Sequence, residues 1–328
     1  MTEPTLVPAT ASVTVIVPAY GHGPYIVASI ESVLSQVPPP LEVIVIDDSS
    51  PDDTAQRLQP LINAGRITYR LQPNAGMAAA RNTGAAMAKG DYLYFLDDDD
   101  LMIPGALRWM VQELDSHPQA AMVLGDMVIF EGEPPALDSI GAPAEDVDPV
   151  PFVIFNQLGC PGQVLMRRAA FEAAGGFDAT IWGADDWDLW LRLLAARPAR
   201  VARRPVLSYR LHANNASRNV ARMYESSLRV ARRHVRTLPD DRRAILRRYT
   251  YLRLRQYHAP RILTMLKNAA TDRDWRTASA AARAWTLTWA NEAAAYVALK
   301  LHLAKRGRWS LPADEPLLRV IVHHCGSR

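Results

Sequence analysis

Four short runs of β-branched and aromatic residues recur at regular intervals through the first hundred positions, and they restrict the fold more tightly than any other feature. They are "VTVIV" (Val13–Val17), "EVIVI" (Glu42–Ile46), "ITYRL" (Ile67–Leu71) and "YLYFL" (Tyr92–Leu96). Runs this short and this rich in Val and Ile suit strands buried on both faces. Between them lie stretches of helical length, about Tyr25–Gln36, Asp52–Ala64 and Gly76–Lys89. Repetition of strand and helix implies right-handed crossovers and a mostly parallel sheet flanked by helices, an α/β fold of Rossmann-like type.

Boundary signals agree with that outline. "SSPDDT" offers Ser50 as N-cap and Pro51 at the first helical position, with acids in the first turn. Gly65 and Gly90 stand where helices would stop, and Pro60 predicts a kink or an early end in the second helix. Residues 131–151 hold six acids, no base and several prolines, which predicts an irregular lid bordering a substrate entrance. Beyond it, "GQVLMRRAAFEAAGGFD" reads as a strand entering a short helix that stops at Gly175-Gly176. "DDWDLWLRLLAA" (Asp185–Ala196) has Trp187, Trp190, Leu191 and Leu194 at helical spacing, and "RPVLSYRLH" returns as an extended segment.

Charge divides the chain. Residues 1–215 hold 14 Lys+Arg against 26 Asp+Glu, a balance of −12, while residues 216–328 hold 23 against 8, a balance of +15. The expected division is an α/β domain over 1–218 and a basic helical region over 219–328. Its helices are expected at about Val220–Thr237, Asp240–Leu266, Asp272–Trp289 and Asn291–Ala304. Such arginine-rich faces suit either anionic lipid head groups or a packing and homodimer surface. No nucleic-acid-binding motif accompanies the charge. Cys160 and Cys325 have neither disulfide-framework nor zinc spacing. With no secretory signal or spanning segment read, the expected location is the cytoplasm, at most peripheral to a membrane.

The chemistry lies in the acids. Asp97–Asp100 follow an apolar strand directly, where the carboxyl ends of parallel strands open into a ligand crevice. Four carboxylates there raise one another's pKa, so a cation is expected among them. An Asp-x-Asp pattern supplies hard oxygen ligands for Mg²⁺ or Mn²⁺, which in turn hold a diphosphate. A solvated turn or helix cap is the alternative. Asp47 and Asp48 end another strand and can accept hydrogen bonds from a base or a ribose, or can simply cap the next helix.

Taken together, "VTVIVPAYGHGPYIVASIESVLSQ", "EVIVIDDSSPDDT", "NAGMAAARNTGAAMAKGDYLYFLDDDD", "AAGGFD" and "DDWDLWLRL" resemble the family 2 glycosyltransferases of GT-A fold, over roughly residues 12–215. The resemblance implies that Pro18, Ala19 and Tyr20 line the base pocket, with Asp47 or Asp48 on uracil or ribose. It places Asn74 and Arg81 beside the nucleotide and its phosphates. It makes Asp97 and Asp99 the Asp-x-Asp pair, with Asp99 the direct metal ligand and Asp98 near ribose or sugar. The family's Asn after the first-strand Tyr is Gly21 here, and its Glu-Asp pair is Asp185-Asp186.

Asp186 is then the catalytic base. At the start of a helix the dipole keeps a carboxylate ionised, ready to take a proton from an acceptor hydroxyl. "SYRLHANNAS" resembles the family's Tyr-Arg-x-His stretch. It offers His212 to the metal or the leaving diphosphate and Arg210 to phosphate charge, with Ser217 and Arg218 as weaker candidates. The implied reaction is inverting, Mn²⁺- or Mg²⁺-dependent transfer of one sugar from a nucleotide diphosphate sugar, UDP by default, to a hydroxyl on a glycan, a lipid-linked glycan or a natural product. No processive Gln-x-x-Arg-Trp motif is found. A nucleotidyltransferase would be expected to carry a basic phosphate loop where "PAYGHGPY" has no Lys or Arg. A non-catalytic sugar-nucleotide binder is the remaining rival.

Overall fold

The computed structural model describes residues 13–132, 138–140, 149–238 and 240–305. Most of the acidic 131–151 segment, Cys325 and the last 23 residues lie outside them. The described chain divides into two compact units.

The first unit comprises residues up to 147 together with 158–180 and 188–213, and is built on one sheet. β1 (Val13–Ala19), β2 (Glu42–Asp47), β3 (Thr68–Leu71) and β4 (Tyr92–Phe95) pair in parallel in the order β3-β2-β1-β4. α1 (Gly23–Leu34), α2 (Thr54–Asn63) and α3 (Met77–Met87) make the connections. β1 and β4 are buried along their whole length, as their Val, Ile and aromatic content requires. Edge strand β3 is largely exposed.

Past β4 the sheet becomes mixed. After β5 (Leu101–Met102) and α4 (Ala106–Ser116) come β6 (Met122–Glu131), β7 (Asp138–Ile140), β8 (Val164–Arg167) and β9 (Ala199–Leu211). β8 runs antiparallel to both β4 and β6, whereas β9 runs parallel to β6. The parallel arrangement expected from the first four strands therefore stops at β4. β7, antiparallel to β6, also places a short strand inside the segment expected to be irregular.

Helix ends show which local signals won. α2 starts at Thr54, because Asp52 Oδ1 accepts both the Thr54 N–H (3.2 Å) and its hydroxyl (2.6 Å). Ser50 is no cap: its N–H donates to Asp47 Oδ1 at 2.7 Å, inside the turn. Gly65 (φ +64°) does close α2, which runs through Pro60 to Asn63. Gly90 does not close α3. Ala88 is already extended, and the Gly90 N–H donates to Thr14 Oγ1 at 2.9 Å.

α5 (Pro149–Ile154) precedes β8, and α6 (Arg168–Ala173) follows it and stops at Gly175 and Gly176, both at positive φ. α7 (Asp185–Ala196) follows with Trp187, Trp190, Leu191 and Leu194 buried as expected, but Asp185, Asp186 and Asp188 are buried too. In the first unit Asp188 is matched by Arg192 at 2.8 Å.

The second unit holds residues 148–157, 181–187 and 214 onward. α8 (Val220–Thr237) matches its expected range, and α9 (Asp240–Thr271) runs five residues past it. The two further helices expected are one, α10 (Trp275–Lys305), because no Gly or Pro interrupts it. Asp274 rather than Asp272 opens α10, its carboxylate accepting the Thr277 N–H at 3.2 Å. Arginines of this unit lie over aromatic rings: Arg222 over Trp182, Arg255 over Trp289 and Arg261 over Tyr257, at 3.9–4.5 Å from the centroids. Such stacking gives part of the basic tail a packing role. Among the described residues no helix is long and apolar enough to cross a membrane.

Candidate functional site

β1, β2 and β4 end side by side, with Ala19 paired to Asp47 and Ile16 to Phe95, so the segments that follow them converge at one edge of the sheet. Pro18 and Ala19 are buried within β1, and Tyr20, 43% exposed, is the first side chain to emerge. Gly21 follows at φ +76°, a left-handed conformation that Gly and Asn tolerate best. Glycine at this place of the family's Asn thus suits the backbone but supplies no amide.

The two carboxylates after β2 shape the neighbouring loop. Asp48 accepts the main-chain N–H of Ala75 (2.9 Å) and Gly76 (2.7 Å) and the Gln72 amide (2.7 Å). This holds the turn that carries exposed Asn74 into α3. Asp47 accepts the Ser50 N–H and the Tyr69 hydroxyl, each at 2.7 Å. A carboxylate has about four acceptor sites, so both retain capacity for a ligand.

The four aspartates after β4 have different neighbours. Asp97 takes a 2.7 Å ion pair from Arg81 on α3, whose guanidinium also lies 5.3 Å from the centre of the Phe177 ring. Asp98 is buried, accepts the Tyr20 N–H at 2.9 Å and lies 2.7 Å from His22 Nδ1. Asp99 Oδ2 lies 2.7 Å from His212 Nε2 and 3.9 Å from His22 Nδ1. Asp100 accepts the Arg210 N–H at 2.9 Å, while its other carboxyl oxygen, fully buried, has no hydrogen-bond partner.

The electrostatics follow from burial among like charges. Burial, then Asp99 and Asp97, pushes the Asp100 carboxyl well above the ordinary range, against the hydrogen bond from the Arg210 N–H. Asp99 is pushed up to about 6, first by burial and then by Asp98 and Asp97, against the pull of His212 and His22. For His22, burial opposes protonation, but the hydrogen bond to Asp98 and the fields of Asp98, Asp99 and Asp97 outweigh it and raise its pKa to about 9. The chain's own cations therefore offset only part of the cost of this negative cluster.

His22, Asp99 and His212 offer ligand atoms that all lie within 4.8 Å of one another. One carboxylate and two imidazoles this close together could hold a metal ion. His22 is the residue that the sequence reading missed. Its signal is a histidine three residues past the end of β1 in "PAYGHGPY". Arg210 lies against Asp99 as well, donating from Nε to its main-chain oxygen at 3.0 Å. Its guanidinium sits between the Tyr25 and Phe130 rings at 4.8 and 4.6 Å.

Asp185 and Asp186 belong to the second unit and open α7. Asp186 Oδ1 lies 2.6 Å from the Trp187 N–H it accepts, and Oδ2 is 3.4 Å from the Asn156 amide nitrogen. The Trp187 indole donates to the Phe152 carbonyl at 2.6 Å, fixing this end of the helix to α5. Ser217 and Arg218 form a 3-10 turn, Ala216–Arg218, in the same unit.

Residues 14–173 match the sequence model described as Glycosyl transferase family 2. Chondroitin synthase of Escherichia coli is 28% identical over 207 residues, covering 62% of this chain and 30% of the synthase. Two further bacterial relatives are spanned over 63% and 61% of their lengths, so the chain spans less than two thirds of each of these proteins. S. aureus TarS 1-349 in complex with UDP-GlcNAc superposes with a TM-score of 0.62 at 16% identity, covering 90% of this chain and 92% of that one. Mannosyltransferase PcManGT from Pyrobaculum calidifontis, in complex with GDP-Man and Mn2+, gives 0.55 at 21% identity, with 88% and 86% covered. The sequence match over residues 14–173 and the shared fold agree: this part of the chain is similar to glycosyl transferase family 2, and the architecture is of the GT-A type.

Proposed function

We propose that the chain transfers a single sugar from a nucleoside diphosphate sugar to an acceptor hydroxyl, with inversion and with a divalent cation. The observation that carries this reading is the convergence of Asp99, His212 and His22 at the sheet edge where Asp47, Asp48 and Tyr20 also lie. A crevice with acceptor groups for a base and ribose beside a cation site suits a nucleoside diphosphate. Of the solved structures that share this fold, one is in complex with UDP-GlcNAc and one with GDP-Man and Mn2+, which supports the donor class and the metal. UDP sugars are the first donors to test.

Asp99 and His212 would hold the ion, with Asp97 beside them. When bound, Mn²⁺ or Mg²⁺ offsets charge developing on the leaving diphosphate. Arg210 and Arg81 add fixed positive charge next to Asp99 and Asp97. Asp186 takes the proton from the attacking hydroxyl, the role that the resemblance gives it. Its place in the first turn of α7 favours the ionised form. Cysteine and serine nucleophiles have no part in a single displacement.

The test is turnover. Full-length protein is incubated with UDP, GDP and dTDP sugars and Mn²⁺, with glycan and lipid-linked acceptors, and release of nucleoside diphosphate is followed. Acceptor-stimulated release from one nucleotide class, abolished by a chelator, supports the reading. Release of pyrophosphate from a nucleoside triphosphate and a sugar phosphate would instead make it a nucleotidyltransferase.

A further inference from the structure

The resemblance draws the cation ligands from the turn after β4 and from the Tyr-Arg-x-His stretch. The geometry points to a third ligand from elsewhere in the chain. We propose that His22, on the loop between β1 and α1, ligates the divalent cation together with Asp99 and His212, and so biases the site toward Mn²⁺ over Mg²⁺. This deepens the transferase reading and rests on the cation that it invokes.

Three observations support it. His22, Asp99 and His212 each bring a ligand atom inside 4.8 Å, and the two imidazole rings meet edge to face with centroids 5.1 Å apart. Ligands about 2.1 Å from a common octahedral ion stand roughly 3 Å from one another, so small side-chain movements close the set. The ring of His22 is also anchored: Nδ1 lies 2.7 Å from Asp98 Oδ1, and Asp98 is itself fixed by the Tyr20 N–H and, through its main-chain oxygen, by the Ser29 hydroxyl. With Nδ1 held by that carboxylate, ligation falls to Nε2 of the deprotonated ring, the arrangement by which a carboxylate on one ring nitrogen orients a histidine that ligates through the other. Finally, Gly21 at φ +76° turns the chain directly after Tyr20, and this turn precedes the residue that faces the aspartates.

Ligand chemistry then sets the preference. Mg²⁺ favours oxygen donors and keeps its waters, whereas imidazole nitrogen binds transition ions better. One carboxylate and two imidazoles therefore discriminate in favour of Mn²⁺ more than one carboxylate and one imidazole would.

The experiment uses the full chain with Mn²⁺ as the probe, without and then with UDP. Free Mn²⁺ is titrated by electron paramagnetic resonance, and nitrogen modulation of the bound signal counts coordinated imidazoles. Two imidazoles are expected in the wild type and one in His22→Gln. Glutamine keeps a donor for Asp98 but lacks the imidazole, so Mn²⁺ affinity should fall tenfold or more while Mg²⁺ affinity changes less. The count in the wild type needs no variant to fold, and melting curves check the variant. A single imidazole in the wild type, with Mn²⁺ affinity unchanged in His22→Gln, would overturn the inference while leaving the transferase reading intact. No bound Mn²⁺ in the wild type, with or without UDP, would remove the metal from the transferase reading and this ligand with it.

Discussion

His212 Nε2 and Asp99 Oδ2 stand 2.7 Å apart, joining the residue just beyond β9 to the turn after β4 across 113 positions of sequence. The contact brings an imidazole to the second aspartate of the Asp-x-Asp pair. Replacing His212 with Ala should weaken metal-dependent donor binding by about 10- to 100-fold, the range found when a metal-site partner is lost. Calorimetric titration of the donor with and without Mn²⁺ checks it, and metal-independent binding should barely change.

Asp186 is assigned to proton abstraction rather than to donor binding. Asp186→Asn keeps the shape and can still accept the Trp187 N–H, but it cannot take a proton. Turnover should drop by about 10²- to 10⁴-fold while donor affinity stays within about threefold. Equal loss of both would show that Asp186 supports binding or folding instead.

Gly84 lies on the buried side of α3, where an added Cβ would come within 2.4 Å of Ile16 Cγ2 on β1. In an exposed helix Gly→Ala gains about 1 kcal/mol. Here overpacking against a strand buried on both faces costs about 1–3 kcal/mol and wins. Gly84→Ala should therefore lower the denaturation midpoint, whereas an unchanged or raised midpoint would mean that α3 can move away from β1.

His258 makes an acid-sensitive element of the helical unit. Its ring packs against Tyr224 and Tyr257, its Nδ1 has no partner, and burial, with a smaller contribution from Arg261, pushes its pKa down to about 3. Between pH 6.5 and 3 the unfolded chain binds a proton there that the native state does not, so native stability is lost as the pH falls through that window. The slope is at most about 1.4 kcal/mol per pH unit. Unfolding free energies of wild type and His258→Phe should diverge below pH 6.5, the variant falling less steeply.

Periodicity made β1 to β4 and α7 readable because their side chains obey one rule along the whole element. The sheet beyond β4 was less so. Nothing in "GQVLM" says that β8 will run antiparallel to β4, since strand direction is decided by distant pairing rather than local pattern. The start of α10 turned on Asp274 against Asp272, two equivalent caps two residues apart. At the site, the aspartates announced themselves by number and Arg81, Arg210 and His212 were read beside them, but His22 was not. The upward shifts at Asp100 and His22 follow from burial and neighbouring fields, which only the assembled fold supplies.

The central claim is tested most directly by thermal unfolding of wild type and Asp99→Asn with UDP-, GDP- and dTDP-sugars, each with and without Mn²⁺. Ligand that binds only the native state raises the melting temperature. The account predicts a Mn²⁺-dependent rise for one nucleotide class in wild type and its loss in Asp99→Asn. A rise that needs no metal and persists in Asp99→Asn, or no rise with any donor, would contradict it.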